Sequence, residues 1–487
     1  MISAHDITFT YAPRQPGDHP TAVLTDCSLN LNAAQALAVM GPTGAGKSTL
    51  GYVLAGLAPR HTGGTLVGSV AIAGHDLRNG PPEIGSLGLL FQDAATQLFS
   101  TTVEDEVAWG LEAMGLAPHE IGQRIEASLA HFELTSVRQR APWALSGGQQ
   151  KRLALAALWA MRPGVLILDE PLGGLDPEGC AEVLAAIDAL QEAGTTLLTM
   201  TLQPEMASRA GALALLADGH LSPALPVSAL VEQEAALVES GLLLPPRLWP
   251  DLSPRITLDD ATPAIEVNGL HFRYPGGTEV LHGIDLTIPR GQFVALVGRN
   301  GAGKSTLVRH LNGLLRPSGG TVSVMGQALA GRAAGTIARH VGFLFQRPEQ
   351  QLFSATVRDE IAYGPTRLAL SDVAARVDSA LARFGLESVA DVPPALLGYG
   401  AQRTVTLAVL AALATPIVVL DEPTVGLDGR GLSQLLAWLA ELREQGITTV
   451  LVTHDLDLAA RADRVITLDN GAITADDTPA AAHGGSA

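Results

Sequence analysis

Gly298-Arg299-Asn300-Gly301-Ala302-Gly303-Lys304-Ser305-Thr306 has the residue types and spacing of a loop that holds phosphate. Glycines at 298, 301 and 303 let backbone N–H groups curl around an anion, and a following helix N-terminus adds a favourable dipole. Lys304 has the reach for the β- and γ-phosphates of a nucleotide, and the Ser305 hydroxyl suits Mg²⁺. The motif needs a strand before it and a helix after it. Phe293-Val294-Ala295-Leu296-Val297 reads as a buried strand, and the residues from Leu307 to Leu311 read as the opening of a helix. Gly41-Pro42-Thr43-Gly44-Ala45-Gly46-Lys47-Ser48-Thr49 is a second copy. A chance glycine-rich turn does not explain a motif that occurs twice.

The elements that position these loops also repeat. Phe91-Gln92 matches Phe345-Gln346, and Gln97-Leu98-Phe99-Ser100 matches Gln351-Leu352-Phe353-Ser354. The run Val165 to Pro171, containing Asp169-Glu170, matches Ile417 to Pro423, containing Asp421-Glu422. Gly174-Leu175-Asp176 matches Gly426-Leu427-Asp428. The fold class is therefore α/β, two tandem P-loop nucleotide-binding domains. The expected boundaries are a first domain over 1–222, a joining segment over 223–262, a second domain over 263–475 and a disordered low-complexity tail over 476–487. Ile7 to Tyr11 and Leu270 to Tyr274 read as edge strands. Residues 12–20 read as a loop. Residues 103–160 have a mostly helical pattern, and a helix is expected at about 178–192. Val227 to Leu243 reads as a helix that Pro245-Pro246 stops.

The 487-residue chain carries a net charge of −18, which argues against a free nucleic-acid binder. Cys27 and Cys180 share no metal spacing and read as ordinary small residues of a reduced cytosolic protein. No signal peptide is visible, and no run of ~18 apolar residues exists, so the chain is expected to reach a membrane only through a partner. His61, His131 and His340 show no ligand spacing.

The phosphate loops, the Phe-Gln segments, Leu145-Ser146-Gly147-Gly148-Gln149 and the two Leu-Asp-Glu-Pro runs together resemble the ABC ATPase family over nearly the whole chain, twice. The core of each domain is then expected to be RecA-like, with an antiparallel β subdomain and a helical subdomain. The finer resemblance is to the ATPase components of energy-coupling-factor (ECF) transporters and related cobalt and nickel importers. It rests on Phe345 to Phe353, on Thr356 to Gly364, and on Gly241-Leu242-Leu243-Leu244-Pro245-Pro246, which looks like the end of such a subunit. The joining segment then reads as the tail of a first ATPase component fused to a second.

The resemblance implies the cofactors ATP and Mg²⁺. ATP would be held by Gly41, Gly44, Gly46, Lys47, Ser48 and Thr49, and by Gly298, Gly301, Gly303, Lys304, Ser305 and Thr306. Mg²⁺ would be held by Ser48, Gln92 and Asp169, and by Ser305, Gln346 and Asp421. Glu170, Glu422 and His454 would be catalytic. Tyr11 and Tyr274 would stack on adenine. A plain strand residue is the alternative for either tyrosine, and position in the repeat favours stacking. Two such units would pair head to tail within one chain, each ATP lying between the phosphate loop of one and the signature segment of the other. The partners would be a transmembrane component and a separate substrate-binding membrane protein, at the cytoplasmic face of the cell membrane. No nucleic-acid partner is expected. Glu104, Asp105, Glu106, Asp359 and Glu360 would pair with arginines of the transmembrane component, or else lie at solvated helix N-termini where acids favour the dipole. Asp176 and Asp428 would cross to the opposite site, or else be turn aspartates.

The two expected sites are unequal. Asp421 follows Asp169 by 252 positions. The same offset carries the first signature onto Leu397-Gly398-Tyr399-Gly400-Ala401, which lacks the serine and the Gly-Gly pair. It also carries His454 back onto Leu202. One composite site would join Lys304, Ser305, Gln346, Asp421, Glu422 and His454 to Ser146, Gly147, Gly148 and Gln149, and would be complete. The other would join Lys47, Ser48, Gln92, Asp169 and Glu170 to Gly398, Tyr399 and Gly400, with Tyr399 placing bulk where a backbone N–H should meet phosphate. Its turnover is expected to be slow. A tandem sugar-importer ATPase shares the one degraded site but not the Gln-Leu-Phe segments. A ribosome-associated factor of the ABC-F type would carry a long charged linker and two intact signatures, which this chain lacks. The transported solute, a vitamin or a transition-metal ion by resemblance, touches no residue of this chain.

Overall fold

The computed structural model describes residues 1–12, 22–228, 234–252 and 259–477. Most of the expected 12–20 loop, the start of the expected 227–243 helix and the tail from 478 lie outside these residues. The chain divides into two compact units, Met1–Leu243 and Leu244–Ala487. The division falls inside the segment expected to join two domains.

Each unit has the same plan. In the first, a mostly parallel sheet runs in the order Leu87–Leu90, Val165–Asp169, Thr196–Thr201, Ala36–Met40, Ala212–Ala217, with short antiparallel strands added beyond the last. In the second, the order is Val341–Leu344, Ile417–Asp421, Thr448–Val452, Phe293–Val297, Arg464–Asp469, then antiparallel Ala472–Asp477. Val165 to Asp169 and Ile417 to Asp421 are buried at every position, as expected of parallel strands covered on both faces. The central strand Ala36–Met40 leads through its phosphate loop into the helix Lys47–Leu54, and Phe293–Val297 leads likewise into Lys304–Leu311.

A second, antiparallel sheet of four strands stands beside each core. Here the expectation of edge strands is corrected. Ile2–Thr10 pairs with both Ala22–Leu31 and Thr65–Ile72, and Asp259–Arg273 pairs with both Glu279–Arg290 and Gly319–Val324. Both strands are interior. Ile7 and Phe9 alternate into the core, which any one-faced strand does, whether central or at an edge.

Between its Phe-Gln segment and its Asp-Glu strand each unit carries three α-helices: Val103–Ala113, Pro118–His131 and Gly147–Met161 in the first; Val357–Arg367, Val373–Arg383 and Tyr399–Leu413 in the second. The helix Pro177–Glu192 covers the expected 178–192 span. In the segment read as one helix, the described residues form only the short helix Glu234–Glu239. Leu237 and Leu242 pack on Ala38, Met40, Ala207 and Leu213 of the first core. Trp249 and Leu252 pack into the second core, where Arg461 donates to the carbonyls of Pro246 (2.7 Å) and Pro250 (3.1 Å) and lies over the Trp249 ring.

Candidate active site

The loop glycines stand where side chains have no room. A Cβ on Gly41 would lie 2.2 Å from the Leu216 carbonyl oxygen, and one on Gly298 would lie 2.0 Å from that of Leu468. Gly46 and Gly303 precede the loop helices at φ 100°, the left-handed region that glycine alone enters freely. Gly44 and Gly301 also have positive φ. Lys47 is buried and donates to the carbonyls of Gly41 (2.6 Å) and Pro42 (3.2 Å). Lys304 does the same with Gly298 (2.6 Å) and Arg299 (2.9 Å). Each ammonium thus stays inside the curl of its own loop, where an incoming phosphate would meet it.

Asp169 and Asp421 end their strands almost wholly buried, and neither oxygen of either carboxylate has a hydrogen-bond partner. Burial raises both pKa values; Ser48 and Lys47 beside Asp169, and Ser305 beside Asp421, act the other way. Buried carboxylate oxygens with no donor, next to a serine hydroxyl, are the oxygen donor set that Mg²⁺ takes, so these residues fit the ion. Gln92 and Gln346 lie half-buried just beyond the neighbouring strands Leu87–Leu90 and Val341–Leu344.

Glu170 and Glu422 come next and share a strained backbone, with φ of 47° and 50°. Non-glycine residues adopt this conformation at a cost of ~1–3 kcal/mol and do so most often at functional sites. Burial pushes Glu170 up to about 7. Burial, helped by the Asp421 charge, pushes Glu422 up to about 8.

Around the two glutamates the units part. His454 Nε2 lies 3.3 Å from Glu422 Oε1, 3.5 Å from Lys304 Nζ and 3.1 Å from Asn300 Oδ1. Loop, glutamate and histidine therefore form one polar cluster. In the first unit Leu202 stands in the histidine's place and packs beside the apolar group around Ala207 and Leu213. Glu170 there receives a long hydrogen bond from Thr201 Oγ1 (3.4 Å).

Tyr11 and Tyr274 sit beside their loops. Each hydroxyl meets a loop threonine, Tyr11 with Thr49 at 3.1 Å and Tyr274 with Thr306 at 3.2 Å. Each ring packs edge-on against a core phenylalanine, Phe9 or Phe272.

Ser146 caps the helix Gly147–Met161. Its hydroxyl accepts from the Gln149 N–H (3.3 Å), while Gln149 Oε1 accepts from the Ser146 N–H (3.1 Å), a reciprocal capping box. Gly147 and Gly148 open the helix, so the signature presents a helix N-terminus. In the second unit Gly398 stands at the cap with no side-chain bond. Tyr399 does not project outward as expected. Its hydroxyl donates to the Gln346 carbonyl (3.3 Å) within its own unit, and the ring lies against Gly426. Asp176 and Asp428 cap the helices that follow them, accepting from Gly179 (2.9 Å) and Gly431 (2.8 Å).

Several roles escaped the sequence reading. Gln97 and Gln351 are struts: Gln97 bonds the Phe91 N–H and the Leu89 carbonyl, and Gln351 the Phe345 N–H and the Phe343 carbonyl. Glu106 and Glu360, expected either to pair with a partner's arginines or to lie at a solvated helix N-terminus, are buried. Each accepts two backbone N–H groups, from Phe99 and Ser100 or from Phe353 and Ser354, at 2.7–3.0 Å. Glu104 is engaged by Arg138. The turns so held present exposed aromatic pairs, Phe99 with Trp109 and Phe353 with Tyr363. The spacing of seven from the phenylalanine to the glutamate, present in both halves, was the available signal.

Two glycine-walled phosphate loops, each with a buried Asp-Glu pair, define a tandem P-loop ATPase. Residues 24–173 and 281–425 match the model of the ABC transporter family, and the chain belongs to that family as a tandem ATP-hydrolysing ABC protein. It is 35% identical to a Bifidobacterium longum protein over 95% of this chain and 64% of that one. It is 32% identical to a Methanosarcina acetivorans protein over 98% of this chain and 90% of that one. Both carry the provisional name ABC transporter ATP-binding protein. The chain thus spans less than two thirds of the first relative. Among solved structures, cbiO1 from Clostridium perfringens, described as part of the ABC transporter complex cbiONQ, is 33% identical over 46% of this chain and 92% of its own, with a TM-score of 0.41. Proteins of this family bind ATP, typically with Mg²⁺, and generally pair with membrane components. No helix among the described residues is long and apolar enough to cross a membrane.

Proposed function

We propose that the chain is the energy-coupling ATPase of an ECF-type importer for a vitamin or a transition-metal ion, seated at the cytoplasmic face of the membrane. The observation that carries this reading is the pair of equivalent aromatic patches, Phe99–Trp109 and Phe353–Tyr363, each on a turn held by a buried glutamate. Two like patches on two like units suit two segments of one transmembrane component.

The two ATP sites share the work unequally. The complete one joins the second unit's loop, Gln346, Asp421, Glu422 and His454 to the first unit's Ser146, Gly147, Gly148 and Gln149. Lys304 offsets charge on the γ-phosphate. Glu422 accepts a hydrogen bond from the attacking water and orients it. His454 holds the γ-phosphate and the Glu422 carboxylate in register. Ser146 and the signature N–H groups close the cage from the other side. Ser305, Gln346 and Asp421 would hold Mg²⁺, which would supply positive charge against the phosphates. Phosphoryl transfer asks for positioning and charge more than for covalent help. The other site, with Leu202 and the altered signature, binds ATP through Lys47, Ser48, Thr49 and Tyr11 and turns over slowly. Tyr11 and Tyr274 take the adenine rings.

Purification of the tagged chain from native membranes in mild detergent tests the assignment. Recovery of a small transmembrane subunit together with a substrate-binding membrane protein supports it, and Trp109→Ala with Tyr363→Ala should abolish that recovery. Recovery of a sugar permease or of ribosomal proteins overturns it.

A further inference from the structure

The helix after each signature carries a long cation at the same place in the repeat, Lys151 in one unit and Arg403 in the other. The two side chains go to different places. Lys151, fully buried, donates to the carbonyls of Glu170 (2.6 Å) and Gly173 (2.9 Å) and so ties its helix to the turn after the acidic pair. Arg403 reaches instead to the loop that carries Gln346. Its Nη1 donates to the Phe345 carbonyl at 2.6 Å, and its Nη2 donates to the Gln346 carbonyl and to the Tyr399 hydroxyl at 3.1 Å. Tyr399 closes the figure with its own bond to the Gln346 carbonyl, and its ring faces the guanidinium at 5.7 Å.

The arrangement is built, not incidental. Arg403 is completely buried and is the largest such side chain among the described residues. A guanidinium taken out of water is costly unless its donors are met; here both Nη nitrogens have acceptors, while the buried Nε has none. A planar fork meets two successive carbonyls in a way that an ammonium on a flexible stem cannot. Gripping both carbonyls fixes the plane of the peptide between Phe345 and Gln346, and with it the direction in which the Gln346 side chain leaves the backbone. The Tyr399 ring fills space that is open in the other unit. A Cβ on Gly426 would lie 2.6 Å from that ring, whereas a Cβ on the equivalent Gly174 meets nothing within 4 Å.

The geometry points to Arg403 and Tyr399 as a latch within the second unit, with Arg403 the positioning residue for Gln346. The altered second signature has then not merely decayed. Its tyrosine has been turned inward to brace the glutamine loop of the same unit, the unit whose glutamate and histidine are intact. The catalytic consequence rests on the reading of the second unit as the hydrolytic centre.

The test uses the full chain with Arg403→Lys, which copies the first unit, and Tyr399→Phe, which removes only the hydroxyl. Amide hydrogen exchange is followed in peptides covering 343–352, alongside kcat and KM for ATP. Arg403→Lys should speed exchange at 345–347 about tenfold, the loss of one charge-assisted hydrogen bond. It should lower kcat by a similar factor and leave KM for ATP in place. Tyr399→Phe should act in the same direction and less. In the Gln346→Ala background, Arg403→Lys should cost nothing further. A further loss there, or unchanged exchange in both variants, overturns the latch. Faster exchange with unchanged kcat overturns the positioning role if Glu422→Gln is inactive. If Glu422→Gln still hydrolyses ATP, the same result keeps the latch and removes the second unit as the hydrolytic centre.

Discussion

The two units share a sheet order, two strained glutamates and two buried aspartates, yet their acidic pairs live in different company. In the second unit Glu422 touches a histidine that also reaches the loop lysine and Asn300. In the first, a leucine has replaced that histidine and turned to the core, so that Glu170 has a long bond from Thr201 and one from the backbone of Leu202 but no imidazole beside it. The signature segments differ in the opposite sense, since Ser146 caps its helix while Tyr399 has been drawn inside. A repeat can therefore keep its scaffold while its polar contacts diverge, because the scaffold depends on buried strands and those contacts on a few side chains at their ends.

The sharpest way to break this comparison is to remove one glutamate at a time. Glu422→Gln should lower steady-state ATP hydrolysis by ~10²–10³, the usual cost of losing a preorganised group in such a cage. Glu170→Gln should change it little. Equal losses in a phosphate-release assay would end the asymmetry. Next, His454→Leu copies the first unit's residue into the second. It should reduce kcat by about 10² while nucleotide binding, read by a fluorescent ATP analogue, persists. A smaller effect is expected at the signature. Ser146→Ala removes a capping box and should cost about 1 kcal/mol in denaturant unfolding, besides slowing hydrolysis. Ala401→Gln, at the position matching Gln149, has no serine to complete the box and should restore neither.

A separate test concerns pH. Burial raises Glu422 to about 8 and Glu170 to about 7. An acid whose pKa is higher in the folded state binds more protons when folded. Stability of the nucleotide-free protein should therefore fall as pH rises from about 4.5 through about 8. Glu422→Gln should flatten that slope in thermal melts across this window, and an unchanged slope would count against the burial argument.

The phosphate loops were legible because glycine, lysine and serine at fixed spacing leave little else for the backbone to do. The departures between the halves were legible because the repeat supplies its own reference, so Leu202 and Gly398 stood out. What stayed hidden is direction. Nothing in the order of residues says that Tyr399 folds inward, that Arg403 and Lys151 reach different carbonyls, or that Glu106 and Glu360 serve their own turns rather than a partner. Long side chains choose among several acceptors within reach, and only packing decides. The interior position of Ile2–Thr10 was hidden for a related reason: one-faced alternation reports burial of a face and is silent about neighbours in the sheet.

Leu237 and Leu242 belong with one core, and Trp249 and Leu252 with the other. The stretch between the domains is thus a seam with a lid sewn to each side. Cutting the gene between codons 243 and 244 should yield two polypeptides that each keep their own cover and stay soluble when expressed apart.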